Sequence, residues 1–496
     1  MHLPHRPPFA LRARVVTPLA AGGFADQPDG VIEVDAKGRI TRVADFADFA
    51  GSAHSAGSVQ AAGSVQAAGS VHAAGSTHAA DANDMHHSSE TTHSGAPEPI
   101  DLRPLVLLPG MVDLHAHLPQ LPNAGLGFGL DLLTWLERYI FPLERRWADP
   151  EIAATLTRSA FRSFAAAGTT TVLAYGAVYK AAMESAFASA EEHGIRAILG
   201  KVMMDRVTYD EAIDRSTLLD RSIRESEELC TRWHGADDGR LGYAVTPRFA
   251  VSCTAEMLAA SAELSARTGA WWQTHVSEDP GEIAEVGRLF PEAGDYVDVY
   301  DRAGGLGQRT VLAHAVHLSD REISRLVETG TRIAHCPASN LFLASGIMPL
   351  ARYLEAGLSV GLGSDVAGGP DAPLFTVMRV GAYAQVARRT VAGDAGPILG
   401  PLDWLRLGTL SGARALGLGD RIGSLEPDKE ADIIAVDPRF TVAMPDLAYD
   451  PGRVETEELV SRMIFRAHPD MVRGAWVRGR RLEGPARMSR LENGAP

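Results

Sequence analysis

The sequence predicts an α/β protein: a (β/α)8 TIM-like barrel joined to a small β-sandwich domain that both ends of the chain build together. Three observations carry this. Eight β-branched or apolar runs alternate with helical periodicity through the middle of the chain. The two ends instead show strand alternation punctuated by glycine. Histidine and aspartate fall at the C-terminal ends of the middle runs, the face on which such barrels carry their chemistry. The expected division is 1–108 and 421–496 for the two parts of the sandwich and 109–420 for the barrel.

In chain order, a strand is expected over Leu11–Val16, then a hairpin of Gly30–Val34 and Arg39–Val43 around the turn Asp35-Ala36-Lys37-Gly38. Residues 51–97 break the composition. GSVQAA recurs at Gly57 and Gly63, decays to GSVHAA at Gly69 and GSTHAA at Gly75, and almost no large apolar residue accompanies it. Such a run cannot offset the entropy cost of ordering and is expected to be a disordered insert, its six histidines part of a solvated repeat. The barrel strands are expected at Met111–His115, Thr169–Leu173, Ala197–Val202, Leu241–Val245, Trp271–His275, Thr310–His314, Arg332–His335 and Ser359–Asp365. One connecting helix is well marked, with Asp149 as N-cap, Pro150 at the first helical position and Gly168 as its stop. Strands Asp432–Val436 and Met471–Leu482 close the chain.

Composition excludes several function classes. With 496 residues, 45% hydrophobic and 22% charged, core size is not limiting and the bulk is that of an ordinary globular protein. Lys plus Arg is 47 against 62 Asp plus Glu, a balance of −15 that opposes a general nucleic-acid or anionic-membrane binder and favours a small-molecule partner. Cys230, Cys253 and Cys336 form no C-x-x-C pair, which fits a reducing, cytoplasmic setting rather than a disulfide framework. No apolar run approaches the ~20 residues that span a bilayer, and prolines and arginines break the opening segment before a signal-like core forms.

The residues at the strand ends suit a metal. His115 and His117 are two apart on one strand and so face the same side, into the barrel mouth. His275, His314 and Asp365 end the fifth, sixth and eighth strands. Imidazole and carboxylate without thiolate suit zinc first, with iron or manganese open. Cys336 lacks a neighbouring base pattern and is expected to be a small buried residue.

Six pieces then carry a resemblance: HAHLPQ (His115–Gln120) within PGMVDLHAH (Pro109–His117), LTWLERYIFP (Leu133–Pro142), TPRF (Thr246–Phe249), HVSE (His275–Glu278), HCPASNL (His335–Leu341) and GLGSDVAGG (Gly361–Gly369). Together with Ala313-His314 they resemble the amidohydrolase superfamily, and within it they are most similar to the guanine deaminases. The resemblance implies hydrolytic deamination of guanine to xanthine and ammonia, one Zn²⁺ per subunit held by His115, His117, His275 and Asp365, and a homodimer. It implies that Glu278 shuttles protons, that Asp365 can take the proton of the attacking water, and that His314 supports the water or oxyanion. Substrate recognition falls on Gln120, Arg248 and Phe249: a guanidinium fork for the 6-oxo group and N7, an amide that can give and accept, and a flat face. The apolar residues of Leu130–Phe141 are expected mostly in the core, with part of the segment capping the pocket. Two rivals stay open: another amidohydrolase with the same metal set (a chlorohydrolase, an adenosine-type or an 8-oxoguanine deaminase), or a non-catalytic scaffold of the superfamily, which intact ligands oppose.

Overall fold

The computed structural model describes residues 3–50, 97–209, 214–393, 396–444 and 449–485; the insert expected over 51–97 lies outside the described residues but for its last position. The strands follow in chain order. The N-terminal part supplies β1 (Phe9–Pro18), β2 (Phe24–Val34), β3 (Ile40–Asp45) and β4 (Pro99–Pro109). The barrel supplies β5 (Met111–His117), β6 (Thr169–Tyr175), β7 (Arg196–Gly200), β8 (Val202–Met203), β9 (Leu241–Pro247), β10 (Trp271–Val276), β11 (Thr310–His314), β12 (Arg332–His335) and β13 (Ser359–Leu362). The C-terminal part adds β14 (Ile433–Val436), β15 (Val472–Val477) and β16 (Arg480–Arg481).

β5, β6, β7, β9, β10, β11, β12 and β13 neighbour one another in that order, with β8 beside β9. Their paired neighbours run parallel, and β5, β6, β7 and β9 are buried along their whole length, as strands covered on both faces must be. The seam between β13 and β5 is closed just beyond the strand end. Asp365 N–H donates to the His115 carbonyl at 2.7 Å, and His117 N–H to that of Val366 at 3.1 Å. The closing strand is shorter than the run Ser359–Asp365 suggested: it stops at Leu362, and Asp365 sits in a turn with φ of 48°. The helix Pro150–Ala167 forms as its caps predict, with the Asp149 side chain accepting from Glu151 N–H and Gly168 left-handed at φ 87°.

The terminal strands share one sheet in the order β16-β15-β14-β4-β1-β2-β3, parallel only between β1 and β4. Strand alternation splits it into two faces. Leu107, Ile433 and Ala435 join a cluster within this sheet, while Val106, Leu108, Ile434 and Val436 belong to the barrel's core. A buried polar tie adds to that apolar contact. Arg196 on β7 reaches Glu430 at 2.5 Å and Asp432 at 3.2 Å, and Arg421 and Arg478 hold Glu430 from other sides.

Candidate active site

His115 and His117 project from the end of β5 on one face, and β10 brings His275 against them. His117 Nε2 lies 3.3 Å from His115 Nε2 and 3.2 Å from His275 Nε2. Asp365 Oδ1 completes the group at 3.1 Å from His115 Nε2 and 3.3 Å from His117 Nε2. Burial pushes all three imidazoles below their usual range, so they are neutral. The His275 Nδ1–H donates to the Arg248 carbonyl at 2.6 Å, which leaves its Nε2 as a lone pair facing the other rings. Four ligands ~2.0–2.1 Å from one ion in a tetrahedron stand roughly 3.3 Å from each other, close to the four separations just given. These residues therefore fit a divalent metal. A second grouping, His115 with His314 and Cys336, is also close. It suits an ion less well, because burial and then the charges of Asp365 and Asp113 push the Cys336 thiol well above its ordinary value and away from thiolate.

Several neighbours hold the cluster in shape. The Tyr175 ring centre lies 5.0, 4.6 and 4.8 Å from those of His115, His117 and His275. Asp113 accepts from the backbone N–H of His115 and Ser364, tying the ends of the two closing strands; burial still pushes it up to about 7. Gly363 is required by close approach, since a Cβ there would stand 2.7 Å from His115 Cβ and 2.9 Å from Cys336 Sγ. Ser277, His314, Ala315 and Asp365 all take left-handed backbone angles at the strand ends. Such conformations cost on the order of 1–3 kcal/mol each and gather where a side chain must be aimed.

Glu278 and His314 stand beside the cluster. Glu278 Oε2 is 3.3 Å from His314 Nε2, Oε1 receives a 3.4 Å bond from Ser345 Oγ, and its backbone N–H is held by Glu282 at 2.9 Å. Burial, then the charges of Asp365, Glu282 and Asp279, push the Glu278 carboxyl well above the usual range, which suits a group that takes up and returns a proton. His314 turns its Nδ1 to Asn340 Oδ1 at 2.9 Å and its Nε2 toward Asp365 Oδ2 at 3.8 Å; burial lowers it to about 4.

All the residues expected to touch substrate come together. Gln120, Arg248 and Phe249 line one cavity with His117, His275, Glu278, His314 and Asp365. Leu132, Trp135 and Leu136 also line it, so part of the Leu130–Phe141 segment does cap the pocket. Sequence reasoning missed Glu144. Fully buried, it takes a 2.6 Å ion pair from Arg248 Nη1 and a 2.9 Å hydrogen bond from Gln120 Nε2. Burial works against the charge on Arg248, but Glu144 opposite more than restores it and holds its pKa above the ordinary value.

Comparison with known proteins agrees with this geometry. The amidohydrolase family model matches residues 106–482. A probable guanine deaminase of Deinococcus radiodurans is 40% identical over 381 residues, covering 76% of this chain and 84% of that protein. The guanine deaminase of Escherichia coli is 38% identical over 378 residues, covering 75% and 83%. Among solved structures, the guanine deaminase of C. acetobutylicum with guanine bound superposes with a TM-score of 0.79 at 25% identity, over 96% of this chain and 99% of that one. An adenosine deaminase of Xanthomonas campestris with bound zinc gives 0.74 at 25% identity, over 99% and 98%.

Proposed function

The chain belongs to the amidohydrolase family, and from that premise we propose that it deaminates guanine by hydrolysis, giving xanthine and ammonia, with one zinc ion per subunit. The observation that carries this is a single cavity lined at once by the His/Asp cluster, by the buried acid Glu278, and by Arg248 with Gln120. Zinc held by His115, His117, His275 and Asp365 would supply the Lewis acidity that brings deprotonation of water toward neutral pH.

The protein's own groups do the rest. Arg248 donates to the 6-oxo oxygen of guanine and Phe249 offers a flat face, so that C2 turns toward the cluster. Glu278 takes the proton of the attacking water and delivers it to the ring nitrogen beside C2. The proton left on the attacking oxygen then passes to the exocyclic nitrogen, the C2–N bond breaks to release ammonia, and that oxygen becomes the 2-oxo group of xanthine. His314, aimed by Asn340, hydrogen-bonds the oxygen that attacks C2. Asp365 combines its place in the ligand set with an oxygen free to accept a proton.

A homodimer working in the cytoplasm belongs to the same proposal, supported by the family resemblance and by three cysteines that are free and buried. Among the described residues no helix is long and apolar enough to cross a membrane. The test is direct. Purified protein incubated with guanine should release xanthine and ammonia one for one, chelation should stop this, and zinc should restore it. A zinc-replete protein that leaves guanine unchanged would refute the proposal.

A further inference from the structure

The contacts of Glu144 decide more than the stability of the pocket. A carboxylate only accepts hydrogen bonds, so the end of the Gln120 amide that meets Glu144 Oε1 at 2.9 Å must be the NH2 group. The other end, Gln120 Oε1, is buried and has no protein partner among the described residues, although Gln120 lines the cavity. Arg248 is fixed in the same way. Its Nη1 is engaged by Glu144 Oε2 at 2.6 Å, and its Nε and Nη2 have no acceptor among the described residues. One buried carboxylate thus leaves a donor, Arg248, beside an acceptor, Gln120: Glu144 holds the guanidinium in position, and the Gln120 amide cannot reverse its polarity while Glu144 is in place.

We infer that Glu144 is a specificity-determining positioning residue: by fixing Gln120 as an acceptor next to the Arg248 donor, it makes the pocket read an acceptor followed by an N–H donor on the edge of the purine. This rests on the proposed deamination of guanine and refines it. Guanine offers that order at its 6-oxo oxygen and N1–H. 2,6-Diaminopurine carries the same amine on C2 but the reverse order, an exocyclic N–H at C6 and a bare N1. It is the ligand the fixed pair rejects, since accepting it would leave buried polar groups unpaired.

The test compares the two purines on zinc-replete protein and on Glu144→Gln, whose amide can pair with either end of Gln120 and releases Arg248. In the unaltered protein kcat/KM should favour guanine by ~10⁴. In Glu144→Gln it should fall at least ~10²-fold for guanine, mainly through KM, and change less than about threefold for 2,6-diaminopurine, so that discrimination collapses. Where diaminopurine turnover is too slow to follow, its Ki against guanine reports the same preference. Glu144→Asp keeps a buried carboxylate for Arg248 but is too short to hold both partners. It should raise KM for guanine ~10-fold with kcat within about threefold, and it decides the matter if Glu144→Gln does not fold. Equal losses for both purines, or an unchanged ratio, would overturn the inference and leave Glu144 a structural residue. Failure of the unaltered protein to deaminate guanine would instead overturn the proposed function.

Discussion

Replacing Glu278 by Gln separates proton transfer from metal binding and folding. The amide has the same shape as the carboxylic acid, can keep the Ser345 contact to Oε1, and leaves untouched the backbone N–H bond to Glu282 that sets the segment. It also brings no charge into the buried space beside Asp365, so the fold is not penalised. What disappears is a group 3.3 Å from His314 Nε2 that can take up and return a proton next to the cluster. General acid–base catalysis by one such group contributes ~10²- to 10⁴-fold. At ~1.36 kcal/mol per decade the barrier should rise by about 2.7–5.4 kcal/mol. Steady-state kinetics with guanine should show that loss in kcat, with KM nearly unchanged, and metal analysis of the same preparation should show full occupancy. Near-normal turnover in the metal-replete variant would refute the shuttle. Loss of the metal would mean that Glu278 holds the site together instead.

Asn340→Ala should lower kcat by ~10- to 100-fold without releasing the metal, because it frees His314 from the 2.9 Å contact that aims it; retention of kcat would show that packing alone orients the ring. Arg196→Met should lower the free energy of unfolding by about 3–5 kcal/mol, toward the smaller figure because Arg421 and Arg478 still hold Glu430, and denaturant unfolding would measure it. An unchanged midpoint would mean that the apolar face of β14 and β4 docks the terminal sheet unaided. Acid should weaken the same contact. Burial alone would raise Glu430, but Arg196, Arg478 and Arg421 hold it down to about 2. A depressed carboxyl contributes stability above its ordinary pKa near 4.5 and loses it as pH falls toward 2, so Glu430→Gln should flatten the decline in unfolding midpoint across that window. A decline of undiminished slope would place the acid sensitivity elsewhere.

The barrel and most of its site were legible in the sequence because both follow local rules. Period-2 geometry alone puts His115 and His117 on one side, and the strand-end position of His275 and His314 follows from where each apolar run stops. Asp365 reaches the cluster for a different local reason than the sequence suggested. The expected strand ran through it, whereas β13 ends at Leu362 and a left-handed turn delivers the carboxylate, a conformation that hydrophobic periodicity does not report. Glu144 was missed because its partners are 24 and 104 residues away and because it follows an apolar stretch and precedes Arg145 and Arg146, the natural partners by proximity. The one signal was chemical: a guanidinium buried in a pocket requires an anionic acceptor, and none of the other residues expected there was assigned to it. The parallel pairing of β1 with β4 was equally hidden, since alternation identifies strands but not their neighbours.

The central claim is that this cavity selects guanine and removes the amine on C2. Its most direct test is kcat/KM for guanine and adenine on one zinc-replete preparation. Adenine has only hydrogen at C2 and sets a donor amine where Arg248 needs an acceptor, so turning its own amine to the cluster would leave the N–H groups of Arg248 that Glu144 does not engage without an acceptor. The account predicts that guanine is favoured by ~10⁴ to 10⁵. Comparable values for the two purines would contradict it and point to an amidohydrolase of broader specificity.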